Sequence, residues 1–389
     1  MTTTTLAKEK AAAQTLSEAP SAIARRLAPE FARHAAEHDA GDIFVARNYD
    51  ALKSEGLITA GVPQELGGGG ANVRELCAML RILAQSCSST ALALAMHTHQ
   101  VAIPAWRWHH RPAAKAAVEP LLRRVAAEQL VLLSSGGSDW VGGSGKAEKV
   151  DGGYRITARK VFSSGAPIGN LLITGAVSEE PDGPFVVHFA APLSAPEVRV
   201  HDTWRTLGMR GTGSHDIEID GLFIPDDKIA LKRKAGEWHP VFQIIATVAL
   251  PLIYAVYLGV AEGARDLAVE IARKKPLTGR NIRLAGQMDT ALHAAKYAHA
   301  AMLDTVDLND PGYHSVNQVM IGRRLVEENA IKAVELAMEL AAGAGFYRAA
   351  GLERRFRDIQ GARYHPMLKE SQFEYAGALA LGQPVAKIF

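Results

Sequence analysis

The sequence contains little cysteine and almost no net charge. Only two of its 389 residues are cysteines, Cys77 and Cys87, and no CxxC spacing joins them. This scarcity excludes a disulfide-rich scaffold and a cysteine-based zinc site, so we expect two buried thiols and no bound metal. The formal net charge is +2, with acids and bases interspersed. An even charge distribution argues against nucleic acid or an anionic membrane as the main partner.

The first twenty residues lack the apolar run that a secretory signal needs. They read MTTTTLAKEKAAAQTLSEAP, which is rich in threonine and alanine. We therefore expect no secretory leader. Nor do we expect a membrane-spanning segment, since each apolar stretch carries polar interruptions. These features predict a cytoplasmic protein.

Three regions with different patterns of apolar residues follow one another along the chain. Residues 1–128 show apolar residues every three or four positions, as in VRELCAMLRILAQ, which is typical of helices. Residues 129–230 contain short alternating segments with glycine between them, including a DGG hairpin signal. Residues 231–389 return to long helical segments. The expected fold is α+β: an N-terminal helical domain, a central antiparallel β domain and a C-terminal four-helix bundle.

Four segments carry a resemblance to a known family. They are LKSEGLITAGVPQELGGGG, VLLSSGGSDWVGGSGKAEKVDGGYRITARKVFSSGAPIGNLLITGA, WRTLGMRGTGSHDIEIDGLFIPDDKI and AAGAGFYRAAGLERRFRD. Together they resemble the acyl-CoA dehydrogenase superfamily of flavoproteins over nearly the whole chain. The resemblance implies an acyl-CoA dehydrogenase-like fold, a bound flavin and a homotetramer. The same fold includes a branch of flavin-dependent monooxygenases, so the resemblance implies monooxygenation as a second possible activity.

The flavin ring has a flat apolar surface with polar edges, so it needs an aromatic or aliphatic platform and a few hydrogen-bonding groups. By resemblance, Phe162 lies beside the ring and Ser164 places its hydroxyl near N5, with Ser163 between them. The alternative for this strand end is ordinary packing of Phe162 in the core. The preceding SSGGSD loop is shorter than is usual in the family. Its hydroxyls, which we expect to contact the cofactor, belong to Ser134, Ser135 and Ser138.

The dinucleotide part of the cofactor is expected at the far end of the C-terminal helices. Arg273 and Gly343 stand where the family places an arginine and a glycine turn for this part of FAD. Glu339 occupies a place where a neutral amide is common, and a carboxylate near a pyrophosphate is unfavourable. Because Arg273 and Gly343 match the family positions, FAD is still the expected cofactor, and the carboxylate of Glu339 keeps FMN as the alternative.

The catalytic glutamate of the dehydrogenases is missing. That residue removes the α-proton of an acyl thioester and must lie within hydrogen-bond reach of it. Counted without gaps from Arg357-Asp358, its usual position is occupied by Pro366. A minority of the family places it on the first long C-terminal helix, but no acid occurs between Glu237 and Glu262. Glu370 could replace it only if the loop were remodelled.

Histidines are the other candidates for catalysis and substrate binding. His365 precedes Pro366, and an imidazole titrates near neutrality, which suits general acid–base work. In the monooxygenase branch, which also lacks the glutamate, a hydroxyl or histidine protects the C4a-hydroperoxyflavin. Ser164 and His365 could fill these roles. His97 and His99 lie on the helix expected to line the substrate cavity, roughly 200° apart, so at most one points fully inward. A structural histidine is the alternative for each.

Three functions remain open. The first is a flavin-dependent oxidoreductase that oxidises an acyl thioester with an electron acceptor. The second is a two-component monooxygenase or oxidase, supplied by a separate flavin reductase, which acts on an aromatic, amine, nitro or sulfur compound. The third is a non-catalytic protein that binds flavin or acyl-CoA.

Overall fold

The computed structural model describes residue 16, residues 18–274 and residues 276–385. Helices form the N-terminal region. They are α1 (Pro20–Ala40), α2 (Ala46–Ser54), α3 (Val73–Ser86), α4 (Ser88–His110) and α5 (Lys115–Glu128). Helix α3 begins at a capping box, in which Asn72 and Glu75 each accept a hydrogen bond from the other's backbone N–H. The box satisfies two N–H groups that a helix end would leave unpaired.

The glycine-rich loop before α3 is a tight connector, as the sequence predicts. Gly67 and Gly70 have φ angles of +93° and +70°, a region that favours glycine. A Cβ atom on Gly68 would lie 2.5 Å from the carbonyl oxygen of Val62. The loop therefore needs glycine to fold back on itself.

A sheet of eight strands forms the middle of the described chain. The strands are β1 (Leu132–Ser134), β2 (Lys146–Val150), β3 (Gly153–Lys160), β4 (Leu171–Glu180), β5 (Gly183–Pro192), β6 (Val198–His201), β7 (Asp216–Pro225) and β8 (Leu231–Lys234). Their order is β6-β7-β3-β2-β4-β5-β8, with β1 also beside β4. The expected hairpin is present, because Val150 of β2 pairs with Gly153 of β3.

Two features of the sheet differ from the sequence-based expectation. The sheet is not wholly antiparallel, because β1 and β2 each pair with β4 in parallel. It also extends past residue 230, since β8 pairs with β5. Periodicity alone does not reveal either feature, because strand direction and edge pairing depend on contacts between distant segments.

Three long helices and two short ones make up the C-terminal region. They are α6 (Val241–Arg273), α7 (Gly279–Asp307), α8 (Tyr313–Ala341), α9 (Leu352–Ile359) and α10 (Lys369–Ala380). Helix α6 is long and apolar enough to cross a membrane by length and composition, contrary to the sequence-based expectation. However, 89% of its most apolar window is buried inside the protein. It is the central core helix and packs against α3, α4, α7 and α8.

A buried carboxylate fastens α6 to two neighbouring helices. Glu262 forms ion pairs with Arg81 of α3 and with Lys296 of α7, the latter at 3.0 Å. Burial alone would raise the pKa of Glu262, but the hydrogen bonds and charges of Arg81 and Lys296 hold it below its usual range. The acid that ends the acid-free stretch of α6 is therefore structural.

Candidate active site

His365 is held at both its ring and its backbone. Helix α9 ends at Ile359, and a 3-10 turn over Gln360–Tyr364 delivers His365 to the loop before α10. The hydroxyl of Tyr257, on α6, lies 2.6 Å from Nε2 of His365. Arg323 of α8 donates to the carbonyl oxygen of His365 at 2.8 Å. These two contacts fix the imidazole between α6 and α8.

The His365 imidazole is neutral at physiological pH. Burial, with smaller contributions from Arg323 and His99, lowers the pKa of His365 to about 3. The expectation that this residue titrates near neutrality is therefore wrong. Burial also raises the pKa of Tyr257 well above its usual value. The phenol therefore keeps its proton, and Nε2 of His365 is its one hydrogen-bond partner among the described residues. It donates to Nε2, which leaves the imidazole proton on Nδ1. His365 is thus set up as a hydrogen-bond donor.

The SSGGSD loop meets the His365 loop and the end of β3. A Cβ atom on Gly137 would lie 3.1 Å from the ring of Pro366, and one on Gly136 would lie 3.3 Å from Cβ of Phe162. The Gly136 N–H also donates to the Val161 carbonyl at 2.8 Å. Three segments that the sequence singled out separately are therefore adjacent in the fold.

Phe162 forms an exposed aromatic edge at this junction. It has a φ angle of +56° and 53% of its surface is accessible. Trp204 packs edge to face against it, with ring centroids 5.4 Å apart. Sequence reasoning missed Trp204, although it begins one of the segments that carried the family resemblance. Two neighbouring rings make a larger apolar platform than Phe162 alone.

The two hydroxyls after Phe162 have different surroundings. Ser163 is fully buried, and its Oγ has no hydrogen-bond partner among the described residues. The Oγ of Ser164 lies 2.7 Å from that of Ser214, at the start of the segment entering β7. A buried hydroxyl without a hydrogen-bond partner is unfavourable. The Ser163 hydroxyl therefore has a hydrogen bond to offer that no described residue uses.

A buried ion pair anchors the SSGGSD loop to the sheet. Lys160, which is completely buried, donates to Asp139 at 3.0 Å and to the carbonyl oxygens of Ser144 and Gly175. Burial lowers the pKa of Lys160, and the Asp139 carboxylate opposes that shift. In the loop itself, Ser135 shares a hydrogen bond of 3.0 Å with Thr174.

The other two serines of this loop are Ser134 and Ser138. Ser134 is the last residue of β1 and pairs with Ile173 of β4. The side chain of Ser138 lies outside the part of the chain that the structure describes.

His97 and His99 are both buried and hydrogen-bonded. Nδ1 of His97 accepts from the Leu132 N–H at 3.0 Å, and its Nε2 bonds the Ile58 carbonyl at 2.8 Å. His99 bonds the Ala95 carbonyl through Nδ1 and the Gln100 amide through Nε2. A substrate could bind a ring nitrogen of His97 only by displacing a backbone hydrogen bond. His99 is the better candidate of the two, because its Nε2 contacts only the side-chain amide of Gln100.

Three further predicted residues lie on the surface. Glu370 is exposed in the first turn of α10. Arg273 is exposed at the end of α6, and Gly343 is exposed after α8. Nearby, Glu339 of α8 forms an ion pair of 3.9 Å with Arg280 of α7.

The junction of the three segments fits a flavin and offers no metal site. Phe162 and Trp204 provide an apolar platform, Ser163 supplies an unpaired buried hydroxyl, and Gly136 and Gly137 keep the neighbouring loop close. These are the features that a flat ring with polar edges requires. Within the described ranges, no group of three or more His, Cys, Asp or Glu residues could hold a metal ion.

Comparison with known protein families accounts for this architecture. Models of the acyl-CoA dehydrogenase N-terminal, middle and C-terminal domains match residues 15–122, 134–222 and 252–370. The chain therefore belongs to the acyl-CoA dehydrogenase family. Within that family it is a flavin-dependent oxidoreductase.

Its relatives include enzymes of the monooxygenase branch. It is 27% identical over 377 residues to the amino sugar nitrososynthase DnmZ of Streptomyces peucetius, covering 93% of this chain and 92% of that one. It is 27% identical over 268 residues to a probable FMNH2-dependent monooxygenase, SfnC, of Pseudomonas putida, covering 65% and 62%. KijD3, solved with FMN and a dTDP-amino-keto sugar, matches with a TM-score of 0.84, 27% identity and 97% coverage of both chains.

Proposed function

We propose that this protein is a two-component flavin-dependent monooxygenase that uses reduced FMN from a separate reductase and oxygenates a small organic substrate. The observation that carries the proposal is the His365–Tyr257 pair. Where an acyl-CoA dehydrogenase needs a carboxylate base, this chain has Pro366, and the histidine before it is a neutral imidazole held by a buried phenol. A locked donor cannot accept a proton at Nδ1, so the site is unsuited to removing the α-proton of a thioester.

A reduced flavin bound at this site would react with molecular oxygen and supply the oxygen atom for transfer. The chain's own residues supply the surroundings. In the proposed reaction, the Nδ1–H of His365 would donate a hydrogen bond to the oxygen atom on which negative charge develops. Phe162 and Trp204 would cover one side of a bound flavin ring, and Tyr254 and Tyr257 pack around His365. Exclusion of water preserves a reactive oxygen species against loss.

FMN suits the chain better than the FAD expected from sequence. The residues expected to hold the dinucleotide part, Arg273 and Gly343, are exposed. A relative is described as FMNH2-dependent, and KijD3 was solved with FMN.

The substrate is proposed to be a small amine, with an amino sugar as the leading class. Both full-length relatives reported above act on or bind amino sugars by name. A neutral histidine beside a flavin does not repel a protonated amine as a charged imidazolium would. Dehydrogenation with Glu370 as the base is less well supported, because that carboxylate is exposed on α10.

We also propose a homotetramer. Large apolar side chains are exposed on the C-terminal helices and turns, where Phe346 is 83% accessible. Exposed apolar side chains on neighbouring helices and turns could form contacts between subunits. Sedimentation analysis of the purified protein would measure the state.

An isotope experiment tests the proposed reaction. The protein would be supplied with FMN, NADH and a flavin reductase under ¹⁸O₂, together with a panel of amino sugars, aromatic amines and organosulfur compounds. We expect one ¹⁸O atom in a product, formed only when both proteins are present. If every panel member returns unlabelled while acyl-CoA oxidation proceeds, the proposal is wrong.

A further inference from the structure

The ring of His215 holds the segment that carries Trp204. His215 is buried immediately before β7, and Trp204 lies in the loop between β6 and β7. Nδ1 of His215 accepts a hydrogen bond from the Trp204 N–H at 3.1 Å and from the Thr203 N–H at 3.2 Å. The Thr203 N–H also donates to the His201 carbonyl at 2.8 Å, whereas the Trp204 N–H has no other acceptor among the described residues. The Trp204 backbone therefore depends on this imidazole.

The backbone of His215 holds the other half of the apolar platform that Phe162 and Trp204 form. Its carbonyl oxygen accepts a hydrogen bond from the Ser163 N–H at 3.3 Å. Ser163 directly follows Phe162, whose ring packs against that of Trp204. A single residue is thus bonded to both segments whose rings make up the platform.

The His215 ring makes its two bonds only when Nδ1 carries no proton. A backbone N–H group only donates, so Nδ1 must present its lone pair to Thr203 and Trp204. Burial lowers the pKa of His215, and the Asp202 carboxylate opposes that shift. The Arg205 cation lowers the pKa further, and the Asp216 carboxylate raises it. Arg159 of β3 pairs with Asp216 at 2.9 Å, which reduces the last effect.

An acceptor for the protonated ring is already close. Oδ1 of Asp202 lies 3.6 Å from Nδ1 of His215. A proton on Nδ1 would face the Trp204 N–H, donor against donor, and this carboxylate would be its nearest charged acceptor. The Trp204 indole N–H donates separately to the Met209 carbonyl at 3.1 Å. Protonation would therefore exchange the backbone bond to Trp204 for an ion pair with Asp202 and leave the indole bond in place.

We propose that His215 is the positioning residue of the apolar platform, because its ring fixes Trp204 and its backbone fixes the strand end of Phe162. His215 acts through these two rings and touches no reacting atom. Acid releases the Trp204 backbone and lets its ring move from Phe162. The consequence for FMN binding rests on the proposed function, whereas the placement of Trp204 does not.

The position of Trp204 can be followed without flavin. The protein is produced with 5-fluorotryptophan, and Trp204→Phe identifies the ¹⁹F signal of Trp204. As the pH is lowered from neutrality, we expect this signal to shift in one titration with a midpoint below about 6.5, the ordinary pKa of histidine. In His215→Leu, which has no acceptor, the signal should hold its acid position at every pH.

His215→Asn tests the same bond in a variant that keeps an acceptor. An amide oxygen can replace Nδ1 as the acceptor for the Trp204 N–H, and an amide does not titrate. The Trp204 signal of this variant should therefore keep its neutral-pH position in acid. Because the variant retains a polar side chain of similar reach, it keeps the inference testable if His215→Leu does not fold.

The affinity for oxidised FMN gives a second measurement on the same proteins. Quenching of FMN fluorescence reports the dissociation constant. At neutral pH, His215→Leu should bind FMN about fivefold more weakly than the wild type, which corresponds to the loss of one buried hydrogen bond. His215→Asn should bind FMN as the wild type does. Acid should weaken binding more in the wild type than in His215→Asn.

His201→Asn is the matched control. His201 lies on β6 at the same edge of the sheet, but its Nε2 lies 2.8 Å from the Glu218 carboxylate and its ring does not bond the Trp204 loop. This variant should show the wild-type titration of the Trp204 signal.

Two results would overturn the inference. One is a Trp204 signal that does not titrate in the wild type, and the other is a signal that titrates equally in His215→Asn. If the signal follows His215 as expected but the wild type does not bind FMN, the positioning role stands and the proposed function fails.

Discussion

The Tyr257 hydroxyl lies 2.6 Å from Nε2 of His365 and joins the central core helix to the loop where the family places its base. Gly361 makes room for this contact, because a Cβ atom there would lie 2.8 Å from the phenol oxygen. The pair turns a residue that appears to be a base in the sequence into a fixed donor. Lys160 and Asp358 hold neighbouring segments of the fold through buried hydrogen bonds.

Tyr257→Phe removes the group that fixes the His365 tautomer. We expect product formation per turnover of reduced FMN to fall at least tenfold, by analogy with the loss of one positioned donor. FMN affinity should change little, because Tyr257 is not placed against the cofactor. The measurement is coupled turnover with a reductase, with hydrogen peroxide recorded as the uncoupled product.

Tyr254→Phe is the matched control for that variant. Its hydroxyl donates to the Ala362 carbonyl at 2.7 Å, so it supports the backbone and does not contact His365 through a hydrogen bond. We expect a loss of about 1 kcal/mol in the free energy of unfolding and near-normal coupling. Equal uncoupling in both variants would show that the phenol contact has no special role.

Lys160→Met should destabilise the fold through the partner that it leaves behind. The Asp139 carboxylate is mostly buried and would lose its cation. Breaking a buried pair in this way costs about 3–5 kcal/mol. Adding Asp139→Asn removes the stranded charge, so the double variant should recover part of the loss. Urea unfolding of the four proteins measures the coupling, and purely additive effects would contradict it.

Asp358→Asn should loosen the turn that carries Met209. The carboxylate accepts from the Met209 N–H and from the Ser88 hydroxyl, and it is fully buried. An amide has one acceptor oxygen instead of two, so we expect a loss of about 2 kcal/mol in the free energy of unfolding. Asp202→Asn, at an exposed pair with Arg205, should change stability little. Similar losses in both variants would contradict this assignment.

Buried histidines should make the protein sensitive to mild acid. Burial lowers the pKa values of His97, His99 and His299 to about 4. Because the unfolded chain binds protons at its ordinary pKa of about 6.5, stability is complete above that pH and falls as the pH drops toward 4. Each histidine should contribute about 1 kcal/mol of loss between pH 6 and pH 5.

The change in unfolding free energy over that pH unit can be measured by urea titration. His299 bonds only the Pro251 carbonyl in the described chain, so His299→Gln keeps a donor there. This variant should reduce the pH-dependent loss by about 1 kcal/mol. A pH-independent stability between 6 and 5 would show that these histidines do not stay neutral in the fold.

Much of the fold followed from local patterns. The helical periods before residue 129 and after residue 230, and the DGG hairpin, reflect residue spacing and turn chemistry. The family segments also identified Phe162 and Ser164, and counting on from Arg357-Asp358 identified His365. The loop of Gly136 and Gly137 lies between these two parts of the chain. The parallel pairing of β1 with β4 was not predicted, because it depends on a partner forty residues away.

The chemistry of individual residues was harder to predict than their location. From the sequence, His365 is expected to have the ordinary pKa of a histidine. The burial and the Arg323 charge that lower this pKa are visible only in the fold. Likewise, Ser214 looks like an ordinary polar residue of GTGSH, and only the fold brings its hydroxyl to 2.7 Å from that of Ser164. Such effects arise from contacts between segments and leave no local signal.

The most direct test of the central claim is an anaerobic titration of the flavin-loaded enzyme with a panel of acyl-CoAs. The absorbance of oxidised flavin near 450 nm reports reduction by a substrate. A monooxygenase with Pro366 at the position of the base and a neutral His365 beside it should show no bleaching with any acyl chain length. Rapid bleaching by one acyl-CoA would contradict the account and restore the dehydrogenase function.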